Sequence, residues 1–114
     1  MHKKAEDYFH CKDGNYNCAQ SILKAFQKKF NISDEMIKEY KKYGGGKADD
    51  NTCGALFAAL KLAEKNLEKK EMIAEEFAKI AGSTKCKQIS GLKKLSCREC
   101  VKVAGELLEK STEQ

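Results

Sequence analysis

The run Asn17-Cys18-Ala19-Gln20-Ser21-Ile22-Leu23-Lys24-Ala25-Phe26-Gln27-Lys28-Lys29-Phe30 decides the fold class. Ala19, Ile22, Leu23, Phe26 and Phe30 recur at i, i+3, i+4, i+7 and i+11, so they share one face of a helix and leave the lysines on the other. Asn15 or Asn17 is placed to cap it, because a short polar side chain accepts a hydrogen bond from an otherwise unpaired backbone N–H.

The same periodicity extends outward in both directions. Lys3 to Cys11 reads as a short helix ended by Asp13-Gly14-Asn15. Ser33 is the expected cap of a helix carrying Met36, Ile37, Tyr40 and Tyr43 on its apolar side, stopped by Gly44-Gly45-Gly46. Asp49, Asp50, Asn51 and Thr52 offer caps for a helix from about Cys53 to Asn66, with Leu56, Phe57, Leu60, Ala63 and Leu67 as its core stripe. A further helix is expected from about Lys69 to Ala81, with Met72, Ile73, Phe77 and Ile80 inward and Gly82 at the left-handed position that ends it. Ser83 to Lys94 reads as a loop. Ser96 and Glu99 form an S-x-x-E capping box opening the last helix, whose buried face is Val101, Ala104 and Leu108, with Leu95 placed to pack near Cys100.

No Pro and no Trp occur, only 8 Gly are present, and 34% of the residues are charged, a composition that favours helices over sheets. With no repeat, linker or low-complexity tract, residues 1–114 are expected to form one all-α domain, a compact helical bundle of five to six helices. The first ten residues, MHKKAEDYFH, lack the apolar run of a secretory signal, and no stretch reaches the length of a membrane span. The expectation is a cytoplasmic protein. The net charge of +5 is scattered and not interleaved with aromatics, which predicts solvated helix faces and neither a nucleic-acid nor a membrane partner.

Six cysteines in so short a chain are the anomaly. In a reducing compartment they point to metal binding or redox chemistry, not to a disulfide framework. Cys18 follows the Asn cap, Cys53 follows the Asp-Asp-Asn-Thr run, and Cys97 follows Ser96, so each is expected at a helix N-terminus. There the free N–H groups and the helix dipole stabilise an anion and bring a thiol pKa down from about 8.5 toward neutrality. Cys86, on the loop, is the natural fourth member. Cys11 and Cys100 read as peripheral, His10 beside Cys11 as a solvated side chain, and His2 as part of a loose terminus.

Spacing excludes several familiar sites. There is no C-x2-C-x2-C run of a bacterial ferredoxin, no pair of C-x2-C knuckles and no C-x2-C-H haem attachment. Cys97-x2-Cys100 opens a helix, but no strand-helix-strand pattern accompanies it, which argues against a thioredoxin fold. Gly44-Gly45-Gly46-Lys47 lacks the spacing of a phosphate loop. No carboxylate pair, Ser-His-Asp set or nucleotide fingerprint supports a reaction class.

The segments Gly14-Asn15-Tyr16-Asn17-Cys18-Ala19-Gln20, Gly44-Gly45-Gly46 with Cys53-Gly54-Ala55, Cys86-x2-Ile89-x-Gly91 and Cys97-x3-Val101 together resemble the redox-active C_GCAxxG_C_C family, marked by four cysteines and a CGAxxG motif. This chain departs from the motif at Ala58, where its final glycine would fall. The iron-sulfur domain of split-Soret-type cytochromes is similar as well. The resemblance implies a cluster or metal held by Cys18, Cys53, Cys86 and Cys97.

The expected function is therefore an iron-sulfur protein in electron transfer, working with a redox partner protein and able to form a homodimer. Two alternatives use the same residues. One is a dithiol-disulfide protein in which Cys97 pairs with Cys100 or Cys86, and the other is a structural zinc site with the four thiolates as ligands.

Overall fold

In the computed structural model the described residues are 5–9, 16–43, 52–92 and 95–112. They form α1 (Ala5–Tyr8), α2 (Cys18–Ala25), α3 (Gln27–Phe30), α4 (Asp34–Glu39) with a 3-10 turn Tyr40–Tyr43, α5 (Gly54–Leu62), α6 (Leu67–Ala81), α7 (Cys86–Leu92) and α8 (Cys97–Thr112). No strand occurs among the described residues, and the fold is an all-α bundle. No helix among them is long and apolar enough to cross a membrane.

The sequence explains where the helices begin. Asn17 Oδ1 accepts from Gln20 N at 2.9 Å and Gln20 Oε1 accepts from Asn17 N at 3.1 Å, a reciprocal cap that starts α2. The same two side chains reach outward, Asn17 Nδ2 donating to Lys41 O at 2.7 Å and Gln20 Nε2 to Ile37 O at 2.9 Å, so the start of α2 is tied to α4 and its 3-10 turn. Ser33 Oγ accepts from Met36 N, Asn66 Oδ1 from Lys69 N, and Ser96 Oγ from Glu99 N at 3.1 Å while Glu99 Oε1 accepts from Ser96 N at 3.0 Å. Gly82, at φ 88°, ends α6 in the left-handed region where glycine is favoured.

Helix α5 carries the centre. Gly54, Ala55, Leu56, Ala58 and Ala59 are all buried, so it is apolar nearly all round and is sheathed by α2, α6 and α8. Ala58, where the family motif has glycine, sits at 0% exposure. Ile22, Leu23, Leu56, Ile73, Phe77, Val101 and Leu108 are the largest apolar side chains fully out of solvent, one or more from each of the four long helices. The ion pairs Lys42–Glu39, Lys61–Glu64, Lys79–Glu76 and Arg98–Asp7 are solvent-exposed and add little.

The architecture departs from the sequence reading in four places. Among the described residues the five helices of seven or more residues agree with the expected five to six, while the helix read over 19–30 is interrupted at Phe26, which sets off α3, and residues 83–94 are not all loop. The break at Phe26 is local, since Phe26 N still bonds to Ile22 O and Phe30 N to Phe26 O. Cys86 to Leu92 forms α7, a helix with little apolar periodicity in which Ile89 is buried. Leu67 and Ile80, assigned to core stripes, are 70% and 43% exposed, Leu67 because α5 has ended and α6 begins there. Asn15, the triple glycine, and the Asp49-Asp50-Asn51 caps lie outside the described residues, as do His2, His10 and Cys11.

Candidate functional site

Four helix beginnings meet. Cys18 is the first residue of α2, Cys53 is the cap of α5, Cys86 is the first residue of α7 and Cys97 is the first residue of α8. All four, together with Cys100, Ile89 and Leu95, line one cavity of about 30 Å³. Cys18, Cys53 and Cys100 are buried, Cys86 is half-buried and Cys97 is exposed, and none of the five is in a disulfide.

Backbone contacts bring them there. Cys53 N donates to Thr84 O at 2.8 Å and Thr52 pairs with Lys85 in an isolated antiparallel bridge, which sets the start of α5 beside the start of α7. Gly54 brings α5 onto α2: a Cβ built on it would lie 2.6 Å from Cys18 Sγ and 2.9 Å from Tyr43 O. Only a residue without a side chain allows that approach, a physical reason for glycine directly after Cys53. Tyr43 is held by its ring neighbours Tyr40 and Phe57, with centroids 4.9 Å away in each case. The Ser96 cap orients Cys97, and one turn later Cys100 enters the same cavity.

The thiols are not equivalent. A hydrogen bond from Cys100, reinforced by the N–H groups of Leu56 and Ala55 at the start of α5, lowers the Cys53 thiol to about 7 against the opposing effect of burial. The Cys53 cap of α5 makes no conventional side-chain capping hydrogen bond. Cys100 is pushed upward, first by its hydrogen bond to Cys53, then by burial and by the negative charge of Cys53, Cys97 and Cys18. Cys86 is raised by burial and by the charges of Cys53 and Cys97, with Lys87 acting in the opposite sense.

Cys18, Cys53, Cys86 and Cys97 are thus gathered at one place, and Cys100 is a correction to the sequence reading: it is not peripheral. The signal was present in Cys97-x2-Cys100, since i and i+3 share a face and Cys97 was already assigned to the site. Cys86 is corrected from a loop residue to the opening residue of α7.

Residues 16–113 match the family described as "Putative redox-active protein (C_GCAxxG_C_C)". The chain belongs to that family. No curated protein and no solved structure gives a significant match, and the similarity to split-Soret-type cytochromes has no counterpart in these comparisons.

Sulfur from Cys18, Cys53, Cys86, Cys97 and Cys100 surrounds one cavity of this C_GCAxxG_C_C protein. The donor set fits a thiolate-held metal group, because soft sulfur ligands are the ligands of iron-sulfur clusters and of structural zinc. The side-chain positions are less ready: among the described residues no group of three or more His, Cys, Asp or Glu is arranged to hold a metal ion. Cys53 is instead turned to Cys100.

Proposed function

We propose that this member of the redox-active C_GCAxxG_C_C family binds an iron-sulfur cluster through Cys18, Cys53, Cys86 and Cys97 and exchanges electrons with a partner protein. The observation that carries the reading is the convergence of four separately encoded helix starts, each with a cysteine as its first or capping residue, on a single cavity. A simple dithiol needs two sulfurs; an assembly of this kind supplies the four sulfur donors a cluster requires.

When bound, the cluster would supply one-electron chemistry, its irons changing oxidation state while the four thiolates hold it. The chain's own residues set the conditions. N–H groups at the start of α5 favour the thiolate of Cys53, and Ile89 and Leu95 line the cavity with hydrocarbon and limit water. Cys97 is the exposed edge of the site, and the partner docks on that side.

Anaerobic purification, a visible spectrum, and assays of iron, acid-labile sulfide and zinc per chain test the reading in wild type and Cys18→Ser. The expected result is broad visible absorption that bleaches with dithionite, with iron and sulfide lost in the variant. Stoichiometric zinc in a colourless protein would replace the cluster by a structural site, in which the serine variant loses stability and not colour. A metal-free chain with reversibly titrating thiols would refute both.

A further inference from the structure

The positive charge of the chain forms no continuous run, but its excess over negative charge is local. Between residues 83 and 102 stand Lys85, Lys87, Lys93, Lys94, Arg98 and Lys102 against the single acid Glu99. That excess equals the net charge of +5, so the rest of the sequence carries as many acids as bases. Lys93 and Lys94 lie outside the described residues, and the other four cations belong to the segment that supplies Cys86, Cys97 and Cys100.

Their placement follows the accessibility of the sulfurs. Lys85 and Lys87 flank the half-buried Cys86, and Arg98 follows the exposed Cys97, with Lys102 one turn further along α8. The buried Cys18 and Cys53 have only neutral neighbours in the chain, Asn17 and Ala19 in one case and Thr52 and Gly54 in the other. Acids answer part of this charge: Asp7 Oδ1 lies 3.5 Å from Arg98 Nη2, Arg98 Nε donates to Glu6 O at 3.2 Å, and Glu99 serves the Ser96 cap. Lys87 and Lys102 are exposed, and among the described residues no carboxylate comes within ion-pairing distance of either.

An apolar contact is available on the same segment. Leu92 ends α7 at 53% exposure and, at a rise of about 1.5 Å per residue, stands about 9 Å along the helix from Cys86. A small apolar area within a charged rim is the make-up of a protein docking site. No aromatic residue occurs between 83 and 102, so the segment offers nothing on which the bases of a single-stranded nucleic acid could stack. We propose that the face carrying Cys97 docks a protein with an acidic patch, and that Lys87 and Lys102 steer its approach. This rests on the proposed function only in placing a partner on the Cys97 side. Rim charges of this kind raise the encounter rate and act within a Debye length of about 10 Å at 0.1 M salt.

A fluorescent oligoglutamate peptide serves as the probe. It is titrated against the full chain at low salt by anisotropy, then coupled to it by carbodiimide, and the linked lysines are mapped by mass spectrometry. Cross-links are expected between residues 83 and 102. The double variant Lys87→Glu with Lys102→Glu should weaken binding about ten-fold. Lys28→Glu with Lys29→Glu, an equal change of net charge on exposed residues of α3, should weaken it less than about two-fold. Circular dichroism checks that both variants fold. No binding at low salt, equal losses in the two variants, cross-links spread over the chain, or tighter binding of a single-stranded oligonucleotide of equal charge would overturn the proposal. Iron and sulfide measured on the same preparations report separately on the cluster, so either idea can fail alone.

Discussion

Replacing Gly54 with alanine puts one methyl group where α2 and α5 touch. The new Cβ would meet Cys18 Sγ at 2.6 Å and Tyr43 O at 2.9 Å, with Ala19 Cβ at 3.5 Å. The sulfur can rotate away, whereas the carbonyl belongs to a backbone fixed by the Tyr40, Tyr43 and Phe57 rings. Overpacking of this kind costs about 1–3 kcal/mol, and the better helix propensity of alanine returns at most about 1 kcal/mol. A net loss of about 1–2 kcal/mol follows, equivalent to a fall in Tm of roughly 4–8 °C for a domain of this size. Thermal unfolding of the reduced chain, followed by circular dichroism, reads it directly. Cys18 must leave its place in the cavity as well, so its alkylation rate should rise. Gly105→Ala is the internal comparison: its nearest neighbour is Ala5 Cβ at 3.1 Å, on the four-residue helix α1, which can give way. If Gly54→Ala is no less stable than Gly105→Ala, the close-approach argument is wrong.

Other expectations are smaller in scope. Asn17→Ala removes one half of the α2 cap and the bond to Lys41 O, and should cost about 1–2 kcal/mol in urea unfolding. Gly91→Ala meets nothing within 4 Å and lies inside α7, so it should stabilise by up to about 1 kcal/mol. Cys53, with its pKa lowered to about 7 from 9.0, holds less proton in the folded than in the unfolded chain between those values. Stability should therefore rise with pH across that window and lose the gain as pH falls through about 7. Cys53→Ser should abolish the rise, and an unchanged pH profile in that variant would assign the effect elsewhere.

Residues with strong local physics were legible in the sequence. Ser33, Ser96 and Gly82 act at the helix ends where their side-chain chemistry or backbone freedom placed them, and Asn17 proved to be the cap in preference to Asn15. The stripe Ala19, Ile22, Leu23 and Phe26 is buried as its spacing requires. What escaped was set by tertiary contact. Helix α7 contains Ser90 and Gly91, poor helix formers, and its first turn is fixed by the bridge from Thr52 to Lys85, which no local pattern announces. Ile80 follows the helical period of Phe77 and Ile73, yet it stays 43% exposed. Cys100 read as peripheral, yet it continues the stripe of Ala104 and Leu108 and also lines the cavity, so it belongs to both core and site.

The scattering of the cavity's lining along the chain bears on whether the site could ever be moved. In a zinc knuckle the ligands lie close together in a short segment, and a peptide of that segment carries the centre with it. Here the sulfurs are supplied by residues 18, 53, 86, 97 and 100, and each is aimed by a helix that the others hold in place. No linear fragment is a miniature of this centre. An engineer wishing to graft it onto another scaffold would have to transplant the framework of α2, α5, α7 and α8 together with the glycine that lets two of them touch.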